Sequence, residues 1–192
     1  FTLIAGAIDS TNVNVSVTST DDAGLITTTS DDSNVTVDTQ TPAVTDGNIA
    51  ISGASGTGGA FKVGDTVTAT CSNTGGGDSN ADISGVTVNF VAFGGGAAVA
   101  ASNSSDTWTA TFTIVAGAID SANLNVSVTA TDDAGNATTT ADTTNATVDN
   151  QLPTVTDGNI TLSGAASGTG GTYIAGDVVT ITWDNTVATG DN

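Results

Sequence analysis

The side chains able to do chemistry in this 192-residue chain are almost all aspartates. There are 20 Asp and no Glu, against one Lys, no Arg and no His, so the formal net charge is −19. Without His there is no ordinary general base, no His-containing triad and no zinc site of the usual kind. The lone Cys71 cannot close an internal disulfide. Charge argues against nucleic acid and anionic membrane surfaces as partners, because phosphate binding needs a basic surface and Lys62 is the only cation. No run approaches the ~20 apolar residues of a membrane span, and no signal peptide opens the chain. Carboxylates alone can cap turns or, where several meet, offer oxygens to a hard cation.

The elements that must position them are strands. The good helix formers Glu, Arg, Gln and Met are absent or nearly so, while Thr supplies 38 residues and Gly 24. A mean hydropathy of +0.13 argues against the disorder that such acidity could otherwise suggest. Period-two alternation marks half-buried strands. Inward sets are Val67, Ala69 and Cys71; Val86, Val88, Phe90 and Ala92; Trp108, Ala110, Phe112 and Ile114; and Leu124, Val126, Val128 and Ala130. Ile49 with Ile51, a weak 97–101 stretch and a Thr-rich 137–148 stretch bring the total to about seven strands separated by Gly/Asn/Asp/Ser turns. That is the pattern of an all-β, immunoglobulin-like Greek-key sandwich.

The chain also repeats itself. Residues 1–53 recur at 112–164, an offset of 111, with 37 of the 53 positions identical. After one inserted Ala, 55–72 matches 167–184, and Cys71 corresponds to Trp183. That exchange reads Cys71 as an inward core position holding an inert thiol. A period near 111 residues fits one sandwich per repeat and means tandem modules. Pro42 and Pro153 follow Val-Asp-x-Gln segments (Val37, Asp38, Gln40; Val148, Asp149, Gln151) that read as linkers. The expected division is 1–41 as the C-terminal part of a preceding module, 42–152 as a complete one, and 153–192 as the N-terminal part of a following one. A subunit whose ends complete each other in a polymer is the alternative, although the end pieces lack an equivalent of 81–111.

The run VSVTATDDAGNATTT (126–140), followed by ATVDNQLPTVT (146–156), resembles the bacterial Ig-like repeats of giant surface adhesins. In those repeats a "TATDxAGNxT" hairpin precedes a "VD…P" linker. The resemblance implies secretion, many near-identical modules, and junctions rigidified by calcium. The first copy departs from the pattern where Leu25 and Ile26 replace Asn136 and Ala137.

With strands in immunoglobulin order, loops alternate between two poles. Stacking modules end to end then joins Asp9 and Asp38 of one module to Asp46, Asp78, Asp82, Asp132 and Asp133 of the next. A second junction would gather Asp120, Asp149, Asp157 and Asp191. So many carboxylates repel unless a cation sits among them, and calcium, taking about 6–8 oxygens, fits the all-oxygen inventory. Taken singly, each Asp can equally be a turn former or strand-end cap. Asp106, Asp142 and Asp184 read as solvated residues, and Asp65 and Asp177 as turn chemistry. The Gly-rich stretches 53–59 and 75–77 lack the Lys-Ser/Thr of a phosphate loop. Sequons at Asn14, Asn34, Asn103, Asn125, Asn136, Asn145 and Asn159 leave glycosylation open.

The functional expectation is therefore non-enzymatic: a structural repeat of a secreted, cell-surface adhesin or extracellular fibre, acting as a calcium-rigidified spacer. A filled sandwich offers no cleft in which paired aspartates could catalyse. Its partners would be neighbouring modules of the same chain or of identical subunits, with any cell-surface or matrix ligand carried elsewhere in the full protein. Two alternatives stand: a polymerising filament, matrix or surface-layer subunit, and a glycan- or ice-binding module using the outward Thr-x-Thr rows.

Overall fold

Threonine alternating with small apolar residues makes ribbons that are wet on one face and dry on the other, and such ribbons must pair. A computed structural model describes residues 1–4, 6, 8–117 and 119–186 and divides the chain into two units, Phe1–Asn150 and Gln151–Asn192. In the first, the strands are β1 (Ser10–Val13), β2 (Ser16–Thr20), β3 (Ile26–Ser30), β4 (Val35–Val37), β5 (Ile49–Ser52), β6 (Thr66–Ser72), β7 (Ile83–Asn89), β8 (Val99–Ala100), β9 (Ser102–Ser104), β10 (Thr107–Thr113), β11 (Ser121–Leu124), β12 (Ser127–Asp132), β13 (Ala137–Ala141) and β14 (Ala146–Val148). The second holds β15 (Ile160–Ser163) and β16 (Thr180–Trp183). The fold is all-β, and the helical structure among the described residues is four three-residue 3-10 turns.

Two four-stranded antiparallel sheets, ordered β5-β6-β10-β9 and β13-β12-β7-β8, carry the core of residues 42–150. Pairing is in register where alternation predicts it, with Trp108 opposite Cys71, Ala110 opposite Ala69, Val128 opposite Val88 and Ala130 opposite Val86. Those inward residues from both sheets share one apolar cluster with Ile49, Phe90, Phe93, Ile114 and Val126. Two-stranded ladders β1-β4, β2-β3 and β11-β14 complete the first unit, and β15-β16 is the ladder of the second.

The alternating run of Leu124, Val126, Val128 and Ala130 falls on two strands in space, Leu124 closing β11 while Val128 and Ala130 lie in β12. Asn123 sits at φ 58° where the β11-β14 register shifts, and Asn12 sits at φ 60° where β1-β4 shifts in the same way. Asparagine tolerates the left-handed region, so each bulge costs little and hands the chain from one ladder to the next. The stretch 137–148 likewise breaks into β13 and β14 around Asn145 at φ 58°.

Core packing centres on aromatics that alternation only half reveals. After β7 the chain makes a 3-10 turn, Val91–Phe93, which turns both Phe90 and Phe93 inward and leaves them fully buried. Phe90 stacks on Phe112 at 6.1 Å between centroids, and Phe93 meets Phe61 edge-on at 6.0 Å. Gly95 permits this closure, because a Cβ there would lie 2.7 Å from the Phe90 Cβ and 2.8 Å from the Phe112 ring. Phe61 itself lies beside the last strand, its N–H donating to the Thr147 carbonyl at 2.8 Å while the Asp149 N–H donates back to the Phe61 carbonyl at 2.8 Å.

Urea denaturation of single variants tests this core. Phe90→Ala should lose about 3–5 kcal/mol, the usual cost of removing a buried ring. Gly95→Ala should also destabilise, whereas Gly85→Ala, whose Cβ meets nothing within 4 Å, should stay within about 0.5 kcal/mol of wild type. A neutral Gly95→Ala would contradict the packing described.

Candidate metal centre

The turn between β12 and β13 is built by one carboxylate. Asp132 Oδ1 accepts from the backbone N–H of Ala134 at 3.0 Å and of Asn136 at 2.8 Å, and Oδ2 accepts from Asn136 Nδ2 at 2.9 Å. The Asp132 side chain is only 2% exposed. Burial pushes its carboxyl upward, but the Asn136 side chain and the N–H groups of Asn136, Gly135 and Ala134 outweigh that and hold it below the ordinary aspartate range. It is a fixed anion at neutral pH. In the first copy Asp21 Oδ1 accepts from Ala23 and Leu25 in the same way, at 3.0 and 2.8 Å. Leucine at 25 supplies no amide, so that turn lacks the side-chain donor.

Two further carboxylates come to Asp132 from other segments. Asp82, just ahead of β7, is held by its carbonyl, which accepts from the Asp133 N–H at 3.0 Å. Asp38, just after β4, accepts at Oδ1 from the Gln40 N–H at 3.1 Å, and its carbonyl accepts from Asn136 Nδ2 at 3.4 Å. The link at Pro42 is fastened by Asn80, which exchanges hydrogen bonds with the Ala43 backbone at 2.8 Å in each direction and is itself gripped by Asn73. Asp38, Asp82 and Asp132 thus bring ligand oxygens within 4.8 Å of one another, the one such acidic group among the described residues. They edge an open hollow of roughly 430 Å³ that is also lined by Asp9, Gln40 and Asn80.

The remaining described candidates bring no carboxylate into that group. Asp46 accepts from the Thr143 N–H at 3.0 Å and its hydroxyl at 2.7 Å. Asp78 accepts from the Thr45 N–H and from Asn48 Nδ2 at 2.7 Å. Asp133 contributes its N–H to the Asp82 carbonyl. Asp120 accepts from the Asn150 N–H at 3.1 Å, and Asp149 follows β14. Asp157 opens the 3-10 turn of the second unit, and Asp191 lies outside the described residues. Of the asparagines that fasten the site, Asn73 and Asn80 carry no signal in the sequence, and Asn136 stands out there as a sequon and as part of the DDAGN hairpin but not as a donor to a carboxylate.

A different carboxylate motif recurs in both units. Asp65 accepts from the Ser55 N–H (2.9 Å), the Ser55 hydroxyl (2.6 Å) and the Lys62 N–H (3.1 Å). Asp177 accepts from the Ser167 N–H (3.0 Å), the Ser167 hydroxyl (2.5 Å) and the Ile174 N–H (2.8 Å). The serine hydroxyl bond leads in holding each carboxyl below its usual range. These are loop staples, and among the described residues neither joins a group of acidic side chains within ligand distance of one another. Cys71 is equally spoken for: burial, with Asp78 nearby, pushes its thiol up to about 11, which makes it a poor nucleophile.

No protein-family model, curated protein or solved structure matches the chain.

Oxygen donors alone, three of them carboxylates on three separate segments, suit a hard cation rather than zinc or copper. The staples also fix a pH dependence. Asp65, Asp132 and Asp177 have folded pKa values below their unfolded value of about 3.9, so the stability they confer is complete above that value and is lost as pH falls through the folded pKa. Urea midpoints should therefore be flat from pH 7 to about 5 and drop towards pH 3. Asp65→Asn should lower the midpoint at pH 7 and make the acid drop shallower; an unchanged profile would contradict the staple.

Proposed function

We propose that this chain is a non-catalytic structural repeat of an extracellular adhesin or fibre, in which bound calcium stiffens the junction between neighbouring modules. Residues 42–152 are read as one immunoglobulin-like sandwich. The sheet orders β5-β6-β10-β9 and β13-β12-β7-β8 support this, since they correspond to an A-B-E-D sheet facing a G-F-C sheet with one added edge strand. The 111-residue repeat supports the tandem arrangement, and its structural counterparts match: β2-β3 and β12-β13 pair in the same register, Ser16 opposite Ser30 and Ser127 opposite Ala141.

One observation carries the reading: Asp38, from the segment that precedes Pro42, meets Asp82 and Asp132 of the sheets that follow it. Calcium held by these three, with backbone carbonyls or water completing a shell of about six to eight oxygens, would offset their mutual repulsion. The protein's own part is to present the oxygens. The Asp132 turn fixes one carboxylate, the Asp133-to-Asp82 bond places the backbone that carries the second, and the Asn80 clasp on Ala43 sets the path of the link that carries the third. A cation there ties the link to two loops, which is what a stiff spacer requires. Secretion and cell-surface location belong to the same proposal.

Thermal or urea unfolding with calcium against EGTA tests it. Calcium at about 100 times its Kd should stabilise the first unit by about 2.7 kcal/mol. Asp82→Asn should abolish most of that increment and leave stability in EGTA nearly unchanged, because the Asp82 side chain is exposed. Identical unfolding curves with and without calcium would overturn the proposal.

A further inference from the structure

The two copies of the repeated hairpin are alike in backbone and opposite in burial. Asp31 N–H donates to the Val15 carbonyl at 2.8 Å as Asp142 N–H does to the Val126 carbonyl at 3.0 Å, and the Thr18–Thr28 hydroxyl pair repeats as Thr129–Thr139, both at 2.8 Å. Yet Val15 and Val17 are 68% and 69% exposed, whereas their counterparts Val126 and Val128 are 1% and 0% exposed. Leu3 is 52% exposed and its counterpart Ile114 is 1%. The difference has a visible cause. β12 lies between β13 and β7, so Val128 sits opposite Val88 and Ala130 opposite Val86, while among the described residues β2 is paired with β3 alone. An open strand edge beside an exposed apolar row is a surface built to receive another strand.

We propose that β2 is a strand-docking surface whose occupant is a polypeptide of the kind formed by residues 42–111, belonging to a neighbouring repeat joined ahead of Phe1. Its β7-like strand pairs with β2 so that Val17 meets a valine equivalent to Val88, and its two sheets cover Leu3, Val15 and Val17. The residues such a segment would touch in 1–41 are largely those it already touches in 112–152, because the two stretches are so nearly identical. Front and back halves of the repeat are therefore interchangeable. The second unit presents the complementary case: Ile160 opposite Trp183 and Leu162 opposite Ile181 repeat the register of Ile49 opposite Cys71 and Ile51 opposite Ala69, with the apolar row again exposed. This inference rests on the tandem-repeat reading above but not on calcium.

The test places a second copy of residues 42–111 directly ahead of Phe1 in the full chain, recreating the Thr111–Phe112 join. Hydrogen exchange is then followed at the amides of Val15–Thr20. The extended chain should protect them to the level of Val126–Thr131, at least tenfold more than in the starting chain, and should gain a second cooperative unfolding transition. A prefix carrying V86D and V88D should give neither. As a second variant, residues 1–41 replacing residues 112–152 behind 42–111 should still fold cooperatively. Unchanged exchange in the extended chain, equal protection by the mutated prefix, or an unfolded chimera would overturn the proposal. So would protection of Val15–Thr20 that rises with concentration in the unextended chain, since the occupant would then be a second copy. Failure here with the calcium response intact rejects the docking alone.

Discussion

Like charges do not gather at a protein surface unless something holds them, and the meeting of Asp38, Asp82 and Asp132 is held from three directions. The carboxylate of Asp132 is fixed by the turn that it creates. Asp82 is fixed through its backbone to that same turn, and Asp38 through the link that Asn80 fastens by way of Ala43. In a chain with one cation of its own, the repulsion left over has no internal remedy. A hard divalent ion would match it in charge and oxygen preference. In the function proposed, the structural role would follow from that balance, because a link so bound to two loops would not swing as a free linker does.

The second constraint is apolar. A Thr/Val ribbon is stable only when its dry face is covered, and aspartates at the turns do nothing to cover it. Residues 42–150 satisfy the requirement with two sheets and a few aromatics, at the modest cost of a bulge at Asn123 and a tight turn after β7. The hairpin of β2 and β3 and the ladder of β15 and β16 have the same patterns and leave them open. In the tandem arrangement proposed, charge would set how modules are joined, and apolar surface where one module takes its complement from another.

Much of this was legible in the residues. Alternation located β6, β7, β10 and β12 and named the inward set Val67, Ala69, Val86, Val88, Ala110, Val126 and Val128. Two things were not. Period-two patterning cannot mark a strand that changes partner midway, so the break at Asn123 was invisible. Phe93 lies outside any alternating run because a 3-10 turn carries it inward. For the carboxylates, the sequence pointed to a pole and not to partners, and it marked Asp142 as solvated although that residue is only 1% exposed. Asp46 and Asp78 sit beside threonine and asparagine donors that absorb them, while Asp38, Asp82 and Asp132 face one another. That choice is made by side-chain hydrogen bonds between segments far apart in the chain, such as Thr143 to Asp46, which no local pattern encodes.

Carboxyl-carbon NMR of the full chain through a calcium titration asks whether these three carboxylates act as one ligand set. Asp38, Asp82 and Asp132 should shift together along one saturating curve, while Asp46, Asp78, Asp65 and Asp177 stay in place. Shifts spread evenly over the aspartates, or none at the three before the rest, would contradict it.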